Sequence, residues 1–167
     1  MVDPTAQHKA SAPESVRCSI ITVSDTRTEE TDVGGDLVRE LVQSAGFQVV
    51  DRIIVPDEPA EMRAVIEGFC QSAQAILMTG GTGLTARDQT FETVTAMFDK
   101  SLPGYGELFR WLSYQDIGPA AMLSRATGGV IGTTVLLTMP GSPKAVRLAM
   151  EKLILPELPH LVQQATK

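Results

Sequence analysis

Histidine is nearly absent from the 167-residue chain, which has only His8 near its start and His160 near its end. A Ser-His-Asp triad or a histidine-based zinc site would need histidines in the central region, where none occurs. Any chemistry must therefore rely on backbone amides, hydroxyls and carboxylates, with or without a borrowed metal ion.

The chain is also poor in cysteine, in positive charge and in long apolar runs. Cys18 and Cys70 lie within apolar patterns, so we expect buried thiols in a cytoplasmic protein rather than a disulfide framework. The formal net charge of −6 argues against a nucleic-acid partner held by a broad basic surface. No apolar run is long enough to span a membrane, so no membrane association is expected.

The length fits one ordinary domain behind a short tail. Residues 1–16, which begin "MVDPTAQHKASAPES", lack an apolar signal core and predict a disordered N-terminal tail. Residues 17–167 then form the single domain.

Short apolar runs alternate with helix-spaced apolar residues along most of this domain. The runs "VRCSIITV", "FQVVDRIIV" and "AILMTG" predict three strands, and a helical pattern follows each. The first helix is expected to end at Gly46, and Thr90 is available to cap the third. The alternation predicts an α/β fold, a three-layer α/β/α domain with a mostly parallel sheet.

The alternation breaks in the last third of the chain. "GELFRWLSY" predicts a helix, and "SRATGGVIGTTVLLTMPG" predicts an antiparallel hairpin that turns at Gly132. A last helix is expected to start near Pro143 and to be interrupted by Pro156 and Pro159.

Four polar or glycine-rich loops follow predicted strands: "SDTR" (24–27), "PDEP" (56–59), "TGGTG" (79–83) and "PGSPK" (140–144). Ligands of parallel sheets bind beyond the carboxyl ends of the strands, so we expect the four loops to form one site. The candidate substrate-binding residues within them are Ser24, Asp25, Thr79, Gly80, Gly81, Thr82, Gly83, Pro140, Gly141, Ser142, Pro143 and Lys144.

The "TGGTG" loop offers backbone amides and hydroxyls that can face phosphate oxygens. It matches neither GxGxxG nor the lysine-containing P-loop, and a tight strand-to-helix turn is the alternative. Lys144 has two readings as well, either a charge for a bound anion or an exposed lysine in the first turn of a helix.

Two aspartates stand beside these loops. Asp57 precedes Glu58 and Pro59 at a predicted helix start, so an N-cap role is the alternative to a functional one. A capping role explains Asp88 less well, because Thr90 is available to cap the next helix. A carboxylate near bound phosphate is repulsive unless a cation lies between them. Mg²⁺ held by one or two carboxylates and substrate phosphates is the usual solution.

Six strings in order resemble the MoaB/Mog family of molybdenum cofactor biosynthesis: "ITVSDTR", "VPDEP", "MTGGTGLTARDQT", "PGYGELFR", "MLSR" and "MPGSPKAV". The resemblance covers about residues 17 to 163, and TGGTG-x-x-x-R-D is its specific part. Phe91 departs from the proline common at that position, and Ser142 departs from the asparagine of "PGNP".

The resemblance implies Mg²⁺-dependent transfer of an adenylyl group from ATP to molybdopterin, with pyrophosphate as the second product. It places the catalytic, metal-binding acids at Asp57 and Asp88. It places the pterin- and nucleotide-binding loops at Thr79 to Gly83, Ser113, Ser124 and Pro140 to Lys144, with Ser24 and Asp25 on the same edge. It also implies a homo-oligomer, a trimer or a hexamer, and allows other proteins of the pathway as partners.

Two functions remain open at this point. One is a nucleotidyltransferase, and the other is a protein of the same pathway that binds molybdopterin without catalysis. A third, an oligomeric scaffold with a decayed site, would predict loss of the acidic pair, yet both acids are present.

Overall fold

The computed structural model describes residues 12–167. Most of the predicted tail, residues 1–11, lies outside the described residues, whereas Val16 at its end is buried. The strands are β1 (Arg17–Val23), β2 (Gln48–Val55), β3 (Ala75–Thr79), β4 (Lys100–Ser101), β5 (Gly128–Ile131) and β6 (Thr134–Met139). The helices are α1 (Val33–Ser44), α2 (Pro59–Phe69), α3 (Thr90–Thr95), α4 (Pro103–Ile117), α5 (Pro143–Ala149) and α6 (Leu155–Ala165).

The six strands form one mixed sheet in the order β2-β1-β3-β6-β5-β4. The first four of these run parallel, and β5 and β4 add antiparallel pairing at one edge. The predicted hairpin is the β5–β6 pair, and Gly132 turns it with a φ of 57°. The mostly parallel sheet with an antiparallel hairpin is confirmed.

Helices cover both faces of the sheet, which gives the predicted three layers. On one face, α1, α4, α5 and α6 pack around a core that includes Phe109 and Met150. On the other face, α2 and α3 pack around Met62 and Ile66. Every residue of β3 is buried, as expected for a central parallel strand covered on both faces. No helix of residues 12–167 is long and apolar enough to cross a bilayer.

The predicted interruption of the last helix is wrong. A π-helical segment, Met150–Ile154, joins α5 to α6, and α6 continues through Pro156 and Pro159 to Ala165. Pro156 lies in the first turn of α6, where a missing amide costs little. Leu158 and Val162 are buried in the core, and this packing offsets the bond lost at Pro159.

Candidate functional site

The four loops predicted to meet follow β2, β1, β3 and β6, which are neighbours in the sheet and end at the same edge. We call this edge the carboxyl-end rim. The Ser24 amide donates to the Val55 carbonyl at 2.8 Å, and the Gly80 amide donates to the Met139 carbonyl at 3.0 Å. Backbone bonds therefore tie the loop after β1 to β2 and the loop after β3 to β6.

The glycine loop approaches its neighbours too closely for side chains. Gly80 and Gly81 have φ values of 99° and 62°, which favour glycine. A Cβ on Gly80 would lie 2.2 Å from the Val23 carbonyl oxygen, and one on Gly81 would lie 2.7 Å from Asp57 Oδ2. The Gly80 amide is already bonded, whereas those of Gly81 and Thr82 donate no hydrogen bond within the described residues. Among residues 12–167, nothing occupies these two amides, so they can donate to a ligand.

Asp57 does not cap the helix that follows it. Glu58 occupies the N-cap position of α2, and its side chain makes no capping bond. Asp57 Oδ1 instead accepts from the Gln89 amide at 2.9 Å, across to the loop after β3. The residue is 7% exposed. Burial raises the pKa of its carboxyl group, and the charges of Asp88 and Asp25 raise it further.

The start of α3 also differs from the prediction, because the residue that donates to Asp57 occupies the N-cap position of the helix. Gln89, not Thr90, is the N-cap residue, so the cap predicted at Thr90 is wrong. The Thr90 hydroxyl donates to the Gly80 carbonyl at 3.1 Å and so helps to hold the glycine loop.

Asp88 lies against the other end of the glycine loop. Its Oδ2 accepts from the Thr85 amide at 2.8 Å and from the Thr85 hydroxyl at 2.6 Å. These bonds, a bond from the Gly83 amide and the charge of Arg125 hold the pKa of Asp88 below its usual value. The structure thus brings both predicted acids to one loop, with opposite shifts of their pKa values.

Arg125, which follows Ser124, anchors the segment from Gly83 to Asp88 through hydrogen bonds to its backbone. Its Nε donates to the Gly83 carbonyl at 2.7 Å, and its Nη2 donates to the Asp88 carbonyl at 2.8 Å. Its Nη1 pairs with Glu92, and its guanidinium lies 5.4 Å from the centre of the Phe91 ring. The phenylalanine at the proline position thus contributes a cation–π contact.

A second arginine joins three loops of the rim. Arg87 Nη2 donates to Asp25 Oδ1 at 2.8 Å, and Nε donates to Asp25 Oδ2 at 3.0 Å. Its Nη1 donates to Glu58 Oε1 at 2.7 Å. The Asp57 amide and the Arg87 guanidinium hold the pKa of Asp25 below its usual value.

A cleft of about 400 Å³ opens beside the glycine loop. Ser24, Thr79, Gly80, Gly141, Ser142 and Pro143 line it as predicted, and Thr22, Asp32 and Gly34 were not predicted. A Cβ on Gly34 would lie 2.9 Å from the Gly141 carbonyl oxygen, so the start of α1 forms a close wall. The Ser142 hydroxyl accepts from the Ala145 amide at 3.3 Å and caps α5, a task that asparagine also performs.

Three predicted binding residues lie at the margin of this site or away from it. Lys144 pairs with Asp116 of α4 at 2.9 Å and is exposed. Ser124 connects to the glycine loop through the adjacent Arg125. Ser113 is buried in α4 and shares no hydrogen bond with the loops of the rim within the described residues.

Asp57 and Asp88 fit a cation whose remaining ligands are substrate phosphates and water. Within residues 12–167, no group of three or more His, Cys, Asp or Glu side chains converges to hold a metal. Asp57 Oδ2 nevertheless accepts no hydrogen bond there and faces Gly81. Mg²⁺ prefers this arrangement, one or two carboxylates with substrate phosphates and water completing its shell.

Sequence reasoning missed Arg125, Gln89, Thr22 and Asp32 as parts of the site. Arg87 was visible beside Asp88, but its partners are 62 and 29 residues away and no local pattern identifies them. The one available signal for Arg125 was its presence in "MLSR".

Comparisons with known proteins bear on this geometry. A family described as "Probable molybdopterin binding domain" matches residues 19–160. The "Molybdenum cofactor biosynthesis protein B" of Bacillus cereus is 54% identical over 158 residues, which cover 93% of this chain and 94% of that protein.

Solved structures indicate the same family. A crystal structure of "Molybdenum cofactor biosynthesis protein B" superposes with a TM-score of 0.88 at 52% identity, covering 93% of this chain and 99% of that one. The "tungsten cofactor synthesizing protein MoaB from Pyrococcus furiosus" gives a TM-score of 0.84 at 37% identity, covering 93% and 100%. The resemblance is confirmed: the chain belongs to the molybdenum cofactor biosynthesis protein B family, and its matched domain is of the molybdopterin-binding type.

Proposed function

We propose that this protein catalyses the Mg²⁺-dependent adenylylation of molybdopterin by ATP. A terminal phosphate oxygen of molybdopterin bonds to the α-phosphorus of ATP. The bond from that phosphorus to its bridging oxygen breaks, and pyrophosphate leaves. The family membership supports molybdopterin as the substrate. The arrangement of the rim supports the transfer of an adenylyl group to it.

One observation carries the proposal. Asp57 and Asp88 both lie against one loop, Gly81 to Asp88, whose amides at Gly81 and Thr82 donate no hydrogen bond within residues 12–167. A pterin-binding loop alone has no need for two carboxylates, since they repel a phosphate ligand. Paired with a cation, the same carboxylates become the means of joining two anionic substrates.

Each part of the rim has a distinct task in this proposal. The Gly81 and Thr82 amides bind phosphate oxygens, as backbone donors do in other glycine-rich loops. Asp57 and Asp88 hold Mg²⁺, which would neutralise charge on the phosphates. Arg125 anchors the segment from Gly83 to Asp88, and the bond from the Gln89 amide ties Asp57 to the same loop, so the spacing of the acids is set before substrates arrive.

The test is incubation of the purified protein with molybdopterin, Mg²⁺ and ATP labelled on its α-phosphate. Labelled adenylylated molybdopterin and an equal amount of pyrophosphate are expected. EDTA should abolish both products without releasing bound pterin, because we assign the pterin to amides and hydroxyls. Absence of product in the presence of saturable pterin binding would contradict the proposal.

A non-catalytic molybdopterin binder is the second candidate. It is favoured by the lack of a cluster of three or more metal-ligating side chains in residues 12–167. A binder predicts that molybdopterin affinity is the same with and without Mg²⁺–ATP and that no pyrophosphate forms. Titration calorimetry on the same sample distinguishes the two functions.

A further inference from the structure

Arg87 closes a ring of interactions around the acidic side of the rim. Its guanidinium binds both oxygens of Asp25, at 2.8 and 3.0 Å. Asp25 Oδ1 accepts from the Asp57 amide at 3.1 Å, and Asp57 Oδ1 accepts from the Gln89 amide at 2.9 Å. Gln89 is two residues beyond Arg87, so the chain itself completes the ring.

The ring includes every loop that carries a candidate acid. Asp25 follows β1, Asp57 and Glu58 follow β2, and Arg87 with Asp88 follows β3. Glu58 adds a second anchor on the β2 side through its 2.7 Å pair with Arg87. We call Arg87, Asp25 and Glu58 the rim clamp.

The exposure of the rim clamp indicates what it contributes. The side chains of Arg87, Asp25 and Glu58 are 57%, 39% and 50% exposed. Exposed ion pairs add little to global stability. A bidentate arginine fork is nevertheless directional, because its planar donors fix the angle between the groups that they join. The rim clamp is therefore suited to setting local geometry rather than to holding the fold.

We infer that Arg87 is a positioning residue, which acts through Asp25 to place the carboxylate of Asp57 relative to that of Asp88. This inference deepens the proposed adenylylation, since the acids are those assigned to Mg²⁺. Arg87 itself contacts protein carboxylates and leaves the phosphates to the amides of the glycine loop.

The test is a double-mutant cycle on Arg87→Met and Asp25→Asn. Asp25→Asn keeps an acceptor for the Asp57 amide but removes the charge that Arg87 binds. Arg147→Met and Glu151→Gln form the control cycle, because their pair, at 2.6 Å and 54% and 41% exposed, matches the clamp in exposure and lies on another part of the surface. Two readouts are used: amide hydrogen exchange at Asp57 and Gln89, and Mg²⁺–ATP affinity by calorimetry.

In either single variant of the clamp, we expect amide exchange at Asp57 and Gln89 to quicken by about tenfold, the size of a coupling within one bonded network. The double variant should exchange no faster than the more affected single one. Mg²⁺–ATP affinity should fall with the same non-additive pattern, and Arg87→Lys should restore only part of it. The control cycle should leave both readouts unchanged.

Two results would overturn the inference. Unchanged exchange at Asp57 and Gln89 with weaker Mg²⁺–ATP binding in Arg87→Met would make Arg87 a direct phosphate ligand. Additive effects of the two substitutions on exchange would mean that Arg87 and Asp25 act separately. If the unmodified protein binds no Mg²⁺–ATP, the proposed function fails, and the exchange data still decide whether Arg87 positions Asp57.

Discussion

Asp57 and Asp88 are the same residue type on two neighbouring loops of the rim, after β2 and β3, yet the fold shifts their pKa values in opposite directions. Burial raises the pKa of Asp57, so its ionised form costs stability in the folded protein. Hydrogen bonds from Thr85 lower the pKa of Asp88, so its ionised form adds stability. A pair of acids with diverging pKa values is a common mark of a functional site.

This contrast predicts opposite effects of two matched substitutions. Asp57→Asn should raise the thermal midpoint at pH 7, because asparagine keeps an acceptor for Gln89 and removes a buried charge. Asp88→Asn should lower it. Each change should be roughly 2–4 °C, the shift that about 1 kcal/mol produces in a chain of this size. Adenylylation should fall by orders of magnitude in both.

The two substitutions should also differ in how their effects on stability depend on pH. The stability that Asp57 provides is present below its unfolded pKa, about 3.9, and is lost as the pH rises through its higher folded value. The gain from Asp57→Asn should therefore vanish in acid. The stability that Asp88 provides is present at neutral pH and is lost as the pH falls through its lowered folded value. Scanning calorimetry from pH 7 to pH 3 checks both, and equal shifts in the two variants would contradict the assignment.

At the scale of the element, the loop from Gly81 to Asp88 depends on a residue outside it. Arg125→Met removes two carbonyl bonds, the pair with Glu92 and the contact with Phe91. We expect the free energy of unfolding to fall by about 1.5–3 kcal/mol, the range for hydrogen bonds to charged groups. Urea unfolding measures this loss.

Arg125→Lys separates charge from geometry in the same measurement. Lysine retains a cation near Glu92, but it lacks the fork that binds the Gly83 and Asp88 carbonyls together. We therefore expect it to recover only a minor part of the stability and of the turnover. Full recovery by lysine would mean that the loop needs a charge rather than a fixed shape.

The elements of the fold differ in how well their sequences predict them. β1, β2 and β3 follow from short apolar runs, and their loops were expected to meet because parallel strands end at one edge. β4 has two residues, too few for any periodicity. The continuation of α6 through Pro159 was missed because proline rules are local, whereas the burial of Leu158 and Val162 is a property of the whole core.

The site shows the same division. The acids and glycines were predicted because their residue types are unusual at those positions. The partners of Arg87 and Arg125 were not, since Asp25, Glu58 and Gly83 are brought to them only by the order of the strands. Which carboxylate an arginine neutralises is decided by topology rather than by neighbouring sequence.

At the scale of the whole molecule, α4 and the short 3₁₀ helix after it, Gly118–Leu123, expose a large apolar surface. Its members are between 52% and 73% exposed: Leu108, Trp111, Tyr114, Ile117, Met122 and Leu123. Single exposed apolar residues are ordinary, but six of them on two consecutive helices favour an interaction surface. We propose that other copies of this chain cover it, in the trimer or hexamer that the family resemblance implies.

Trp111 makes this proposal testable, because it is the only tryptophan in the chain and is 61% exposed in the single copy. In an assembled protein, its fluorescence should show the blue-shifted emission of a buried indole and should move to the red on dilution. Trp111→Lys should convert the assembly to monomer by light scattering, because a charge buried without a partner is strongly unfavourable. Leu84→Lys, at a residue 64% exposed in the loop after β3, is the control and should leave the mass unchanged. A protein that is monomeric at micromolar concentration before any substitution would contradict the oligomer and leave the α4 surface to a different partner.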